Sequence, residues 1–313
     1  MSEATEERAP DDGPPVAAAP DLGRVGLWSA GLDLLPGPVL AETAVELEEQ
    51  GWGALWFGEA YGREAFTQAG LLLAATSSLV VATGIASIHG RDPVASRAAQ
   101  ATFASAYPGR FLLGLGVSHR PLVERLRKGA YEKPLSQMRA YLEHMDSVQP
   151  VADAGGEPQP RVIAALGPKM TELARDRAAG SHPYLVTPEH TAQARELLGP
   201  DKLLAVEQAV VVSTDVDVAR ERAHTHLEIY TGLPNYRASW ARQGFGADDW
   251  VRGGSDRLKD AMVAHGDVDA CVARVQEHLD AGADHVCVQV LGEHALAAPR
   301  DDWRELAPAL TTL

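Results

Sequence analysis

Leu79-Val80-Val81-Ala82-Thr83-Gly84-Ile85-Ala86-Ser87 is an apolar run without alternation, the pattern of a strand covered on both faces. Shortly after it, Asp92-Pro93 opens a helix. Asp can accept hydrogen bonds from free first-turn amides, and Pro at the first helical position loses no needed donor. The helix runs to about Tyr107, and Pro108-Gly109 turns the chain into a second such run, Phe111-Leu112-Leu113-Gly114-Leu115-Gly116-Val117. A doubly buried strand, a helix and another doubly buried strand make a parallel βαβ unit.

The same unit repeats in both directions. Upstream, Arg24–Trp28 reads as a strand and Pro38–Gln50 as a helix, with Leu40, Ala44 and Leu47 on one face and Gly51 as its stop. Ala54–Gly58 is the second strand, and Gln68–Thr76 the helix after it. Downstream, Arg161–Leu166 is a strand and Pro168–Ala179 a helix. Pro183–Val186 is a weaker strand, and Thr187-Pro188 caps a helix ending near Leu198. Leu203–Val212 is followed by a helix from about Val216. His285–Val290 precedes a last helix containing Trp303 and Leu306. Eight strands, each followed by a helix, predict an α/β fold of the (β/α)8 TIM-barrel type. About 70 residues between the seventh and eighth strands break the rhythm and read as a helical insertion on the rim. Two packed α/β domains are the alternative, with 153–160 as the best linker. Residues 1–21, acidic and rich in Pro and Ala, read as a disordered tail before a barrel domain over 22–313.

Composition narrows the function. The 313 residues carry 43 acidic against 28 basic side chains, a formal net charge of −15. Nucleic acids and anionic membranes need a basic footprint, so neither is an expected partner. An anionic cofactor requires a local positive patch. Cys271 and Cys287 lack metal-ligand spacing and read as reduced thiols. With no apolar run long enough to span a bilayer and no secretory pattern, a cytoplasmic protein is expected.

In such barrels the chemistry sits in the loops after the strands. Glu59 ends the apolar stretch Trp56-Phe57-Gly58-Glu59, where a carboxylate beside aromatics can act as acid or base. It can equally be a loop carboxylate paired with Arg63 or Arg91. His119 follows Gly114-Leu115-Gly116-Val117-Ser118, and an imidazole at a strand mouth suits proton transfer, or else bonds a loop carbonyl. The glycines there do not form a dinucleotide fingerprint, because His119 stands where a glycine is needed. Gly167-Pro168-Lys169-Met170 begins a helix whose free amides, beside a lysine, suit a phosphate; it is also an ordinary helix start. His224 and His226 are two apart on a helix and cannot share a metal, and no catalytic metal is expected. A Gly-x-Ser-x-Gly elbow and a P-loop are absent.

Four segments together resemble the luciferase-like monooxygenase superfamily, and within it the coenzyme F420-dependent oxidoreductases. They are residues Glu49–Glu59, Ala82–Ile85, Tyr107–Gly116 and Ala164–Met170. The resemblance, running from about Leu22 to Leu291, implies a barrel enzyme passing a hydride between a deazaflavin and a small organic substrate. It implies a non-prolyl cis peptide at Gly84-Ile85 or Ile85-Ala86, behind the central ring of the cofactor. It maps the cofactor phosphate onto Gly167, Lys169 and Met170, and the family's acidic residue after strand two onto Glu59. The position after strand four, often acidic or polar in relatives, is His119 here. Trp28, Tyr184, Tyr236 and Trp240 are expected to wall the substrate pocket or, as generic aromatics, to belong to the core instead. The insertion from Tyr230 to His265 is expected to form a lid or part of a homodimer interface. An FMN-dependent monooxygenase and a non-catalytic flavin-binding barrel are the rival readings.

Overall fold

The computed structural model describes residues 17–149 and 159–313. Most of the expected tail and most of the 153–160 linker candidate lie outside the described residues. In chain order the strands are β1 (Val25–Trp28), β2 (Ala54–Phe57), β3 (Val80–Thr83), β4 (Ala86–Ser87), β5 (Phe111–Gly116), β6 (Arg161–Ile163), β7 (Gly180–Ser181), β8 (Leu203–Val212), β9 (Val263–Gly266) and β10 (His285–Val290). The helices are α1 (Gly37–Glu49), α2 (Ala65–Ala75), α3 (Pro93–Ala106), α4 (Pro134–Ser147), α5 (Pro168–Arg177), α6 (Pro188–Leu198), α7 (Val216–Tyr230), α8 (Pro234–Arg242), α9 (Asp256–Met262), α10 (Val268–Asp280) and α11 (Arg300–Leu310).

Every strand pairing is parallel. The order β10-β1-β2-β3-β5-β6-β7-β8 closes on itself because β8 also pairs with β10, from His285 opposite Ala205 to Val290 opposite Val210. This is the closed eight-stave barrel expected from the repeated βαβ units. β3 and β4 are two halves of one stave, both paired with β5 and separated by Gly84-Ile85.

Among the described residues three apolar clusters hold it together, one of them joining α7, α8 and α9 to β8 and β9. Inside the barrel, Trp28, Ala54, Trp56, Ala82, Leu112 and Cys287 pack with their neighbours. Between barrel and helices, Leu40 and Leu47 of α1 and Trp303 and Leu306 of α11 are fully buried, each side chain contributing about 1.5–3 kcal/mol. The helix starts follow their sequence signals. Asp92 accepts from the Ala95 amide and Thr187 from that of His190, each with Pro at the next position. The interior is tight enough to dictate Gly114, where a Cβ would lie 1.9 Å from the Thr83 carbonyl oxygen.

Several boundaries differ from expectation: α2 begins at Ala65 and β6 ends at Ile163. The sixth stave forms at Gly180–Ser181, not Pro183–Val186. Leu185 takes a positive φ of 53° and breaks the extended run, although Pro183 still accepts from the Glu207 amide at 3.1 Å. α5 ends at Arg177. The insertion holds, besides α8 and α9, the short strand β9, which extends the sheet beside the C-terminal half of β8.

Candidate active site

All the loops singled out by sequence leave the C-terminal ends of parallel staves and therefore share one rim. At its centre is the break between β3 and β4. The Gly84-Ile85 peptide is cis, at the first of the two bonds expected. Its environment fixes the residue type: a Cβ on Gly84 would stand 2.6 Å from Trp28 Nε1 and 2.8 Å from His182 Nε2. Trp28 Nε1 donates to the Gly84 carbonyl at 3.0 Å, and the Gly84 amide donates to Phe57 at 2.7 Å.

Glu59 fastens this break from the side. Its amide donates to the Ile85 carbonyl at 3.1 Å, and its carboxylate accepts from the Ser87 amide at 2.8 Å. The other carboxylate oxygen is held by Arg91, with Arg127 at 3.6 Å. Only 4% of the side chain is exposed. Of the two readings open in the sequence, the ion pair with Arg91 describes what the carboxylate touches.

Beyond the break stands an aromatic and polar wall. Trp28 packs 5.4 Å from Tyr184, ring centre to ring centre, and Tyr184 lies 6.5 Å from Tyr236 in a T-shaped contact. Tyr236 in turn meets His119 at 5.8 Å. Thus the last residue of β1, residues of the loops after β5 and β7, and α8 of the insertion meet in one chain of contacts. Burial pushes the His119 imidazole down to about 4, so it is neutral at pH 7, and its buried Nδ1 has no partner among the described residues. Trp240 is fully buried behind Tyr236 and donates to the Leu185 carbonyl at 3.1 Å, so it braces the wall instead of lining it.

The helix start after β6 lies on the same rim. Gly167 caps α5 without a side-chain bond, and among the described residues the Gly167 and Lys169 amides have no acceptor. The Met170 amide is turned back onto the Gly167 carbonyl at 3.0 Å. Arg242, at the end of α8, donates to the Leu166 carbonyl at 2.7 Å, and its Nη2 lies 3.5 Å from where a Gly167 Cβ would be. Lys169 is exposed beside it. Here an acidic protein gathers a local positive patch at a helix N-terminus, the combination an anion needs.

Sequence reasoning missed several residues here. Tyr184 Oη donates to Gln289 Oε1 at 2.6 Å, accepts from Tyr230 Oη at 3.3 Å and contacts His226 Nε2 at 3.4 Å. Gln289 was legible as the top inward position of His285-x-Cys287-x-Gln289 at strand period two. Glu207 was legible as a lone charge in the apolar run Leu203–Val212. His226 was legible only as half of a histidine pair on a helix, and Tyr230 and Arg242 carried no local signal, because their placement depends on how α7 and the insertion fold back over the rim.

The geometry has known counterparts. Over 205 residues the chain is 26% identical to a Mycobacterium tuberculosis protein named as a coenzyme F420-dependent oxidoreductase. That match covers 56% of this chain and 58% of the relative, so it spans under two thirds of the relative's length. An F420-dependent secondary alcohol dehydrogenase, solved with an F420-acetone adduct, superposes with a TM-score of 0.71 at 15% identity, over 92% of this chain and 97% of that one. The oxygenating component of 3,6-diketocamphane monooxygenase from Pseudomonas putida, solved with FMN, gives 0.66 at 13% identity, over 92% and 96%. At such identities the two structures speak for the fold. A family model described as luciferase-like monooxygenase matches residues 36–285, most of the barrel and its rim, and the chain belongs to that family of oxidoreductases.

Proposed function

We propose that this chain is a coenzyme F420-dependent oxidoreductase that passes a hydride between the deazaflavin and a small organic substrate. The observation that carries the reading is the continuous rim. The Gly84-Ile85-Ala86 break is joined through Trp28, Tyr184 and Tyr236 to His119, and along α8 to Arg242 and Gly167. The deazaflavin choice draws support from the named function of the Mycobacterium tuberculosis relative.

The residues present fit such a cofactor. The Gly167 and Lys169 amides, with the Lys169 and Arg242 side chains, would hold its phosphate, and Met170 packs against the core beneath. Gly84, Ile85 and Ala86 would back the ring. When bound, the reduced deazaflavin supplies a hydride. Trp28, Tyr184 and Tyr236 exclude water and shape the substrate side. The insertion carries Tyr236 and Arg242 and acts as lid. Each hydride delivered to a carbonyl must be matched by a proton, and uncharged hydroxyl and imidazole groups are what the rim concentrates. His119, neutral and with a free Nδ1, is placed to hydrogen-bond the substrate. Glu59 is assigned to holding the break and its ring-facing backbone. The enzyme works in the cytoplasm as a homodimer, without nucleic-acid or membrane partners.

Fluorescence-quenching titrations of the purified protein with oxidised F420 and with FMN test this. F420 is expected to bind, and Arg242→Ala to bind it about tenfold more weakly, the loss of one charge-assisted hydrogen bond of about 1.5 kcal/mol. Tight FMN binding without F420 binding would favour the monooxygenase reading. Binding of F420 with no turnover of its reduced form by any carbonyl or enone would favour a non-catalytic barrel.

A further inference from the structure

Tyr184 Oη makes three polar contacts in a place where packing needs none. The phenol ring is wedged between Trp28 of β1, which bonds the Gly84 carbonyl, and Tyr236 of α8. Its hydroxyl proton goes to Gln289 Oε1 at 2.6 Å, and the Tyr230 hydroxyl donates to it at 3.3 Å. With its single proton committed to Gln289, Tyr184 can meet His226 only as an acceptor. The 3.4 Å contact therefore runs from His226 Nε2–H to Tyr184 Oη, which leaves Nδ1 as the bare nitrogen.

His226 belongs to α7 and also lines a small surface cleft with Ser29, Arg222, Gln289 and His294. The imidazole thus bridges the hydroxyl at the rim and solvent in the cleft. Every element packed around the pair contributes: Glu207 of β8, Tyr230 and Arg222 of α7, Tyr236 of α8 and Gln289 of β10. Burial holds the imidazole down to about 4 and pushes the phenol well up. Both are therefore neutral at pH 7, and the inference rests on the hydrogen-bond geometry.

The geometry points to Tyr184 as the catalytic residue that gives the substrate its proton, recharged through His226 from the cleft. This rests on the hydride-transfer reading above. In the reaction the substrate oxygen replaces Gln289 Oε1 as the acceptor of the Tyr184 hydroxyl. As the carbonyl π bond breaks, its carbon gains a hydride from the reduced deazaflavin, which is oxidised by two electrons, and its oxygen gains that hydroxyl proton. The phenolate takes the Nε2 proton of His226, and a water proton enters at Nδ1. Exchange through the cleft restores the resting tautomer. In the oxidative direction each transfer reverses.

Two measurements separate this inference from the function it rests on. The first uses the protein without cofactor: 15N NMR of the His226 ring, assigned by comparison with His226→Gln. The Nε2–H tautomer is expected, and an Nδ1–H tautomer with bare Nε2 overturns the relay whatever the cofactor. The second follows oxidation of reduced F420 with acetone and with cyclohex-2-enone. Tyr184→Phe is expected to lower kcat at least about a hundredfold, the scale of general acid catalysis, with F420 affinity unchanged. His226→Ala is expected to lose at least about tenfold and to recover in added imidazole, which a purely structural role would not allow. A Tyr184→Phe enzyme as fast as wild type, or His226→Ala without rescue, overturns the relay. A wild type that binds F420 but turns over neither acceptor counts against the hydride reading, and the tautomer still decides the wiring.

Discussion

Replacing Glu207 by glutamine should shift stability in favour of the variant by an amount that grows with pH. Glu207 sits in β8 with no exposed surface. One carboxyl oxygen accepts the Leu185 amide at 3.0 Å, and the other has no partner among the described residues. Burial raises its pKa from 4.5 to about 8. Between those values the folded chain binds a proton that the unfolded chain has released, so stability falls as pH rises, and it levels off above the folded pKa. At about 1.4 kcal/mol per pKa unit, the penalty is about 3 kcal/mol at pH 7 and approaches about 5 kcal/mol above pH 8. Glutamine keeps a carbonyl oxygen for the Leu185 amide and cannot ionise. Its extra N–H groups, unpaired, cost about 1–3 kcal/mol at every pH, so the informative quantity is how the difference from wild type changes with pH. Urea unfolding of both proteins at about pH 5, 6, 7 and 8 measures it, and other titrating groups cancel in the comparison. The difference should move in favour of Glu207→Gln by on the order of 3 kcal/mol across that range. A pH-independent difference would refute the claim that the buried carboxyl is held protonated.

The acid side should behave oppositely. Burial pushes His182, His226 and His285 down from 6.5 to about 4, and His278 to about 3. The unfolded chain then binds more protons between about pH 6.5 and 4, so stability disappears as pH falls, by about 3 kcal/mol per histidine. Circular dichroism should show cooperative acid unfolding between about pH 4 and 6, and native structure persisting at about pH 3.5 would contradict it. Glu59→Gln should lower stability by about 1–3 kcal/mol, since the buried Arg91 loses one of its two carboxylates and keeps Glu64 at 2.7 Å. The pH profile of turnover should stay where it is. A flattened profile with unchanged thermal stability would return Glu59 to acid–base duty.

The barrel was readable because its signals are local. Doubly buried parallel strands announce themselves as continuous apolar runs, and Asp92-Pro93 and Thr187-Pro188 place helix starts where the caps are found. The sixth stave was misplaced because its ladder is only Gly180–Ser181. Two small residues carry no strand propensity, whereas Tyr184-Leu185-Val186 has it and is bent away by the positive φ of Leu185. On the site, the strand-end residues Trp28, Glu59 and His119 could be named because topology puts them on the rim. What each touches could not be: whether Glu59 faces substrate or Arg91 depends on a loop neighbour 32 residues on. Tyr184 was named as an aromatic wall, but its polar partners Tyr230, His226 and Gln289 lie 42 to 105 residues away.

That division of labour follows from how the fold is built. On the proposed reading the staves and short loops supply what a bound ring requires: a break at Gly84, a carbonyl pinned by Trp28, and, among the described residues, amides without acceptors at the start of α5. Their positions are fixed by backbone pairing and by contacts too close for a Cβ, so little can drift there. The insertion and the element leading into it supply Tyr230, Tyr236, Trp240 and Arg242, held to the barrel by ring contacts with Tyr184 and His119 and by bonds to the Leu185 and Leu166 carbonyls. Such contacts depend on side chains, so their substitution reshapes the substrate side while leaving the closed sheet intact. On the proposed reading, substrate preference should therefore be set chiefly from α8, and the hydride chemistry from the strand ends together with His226 of α7.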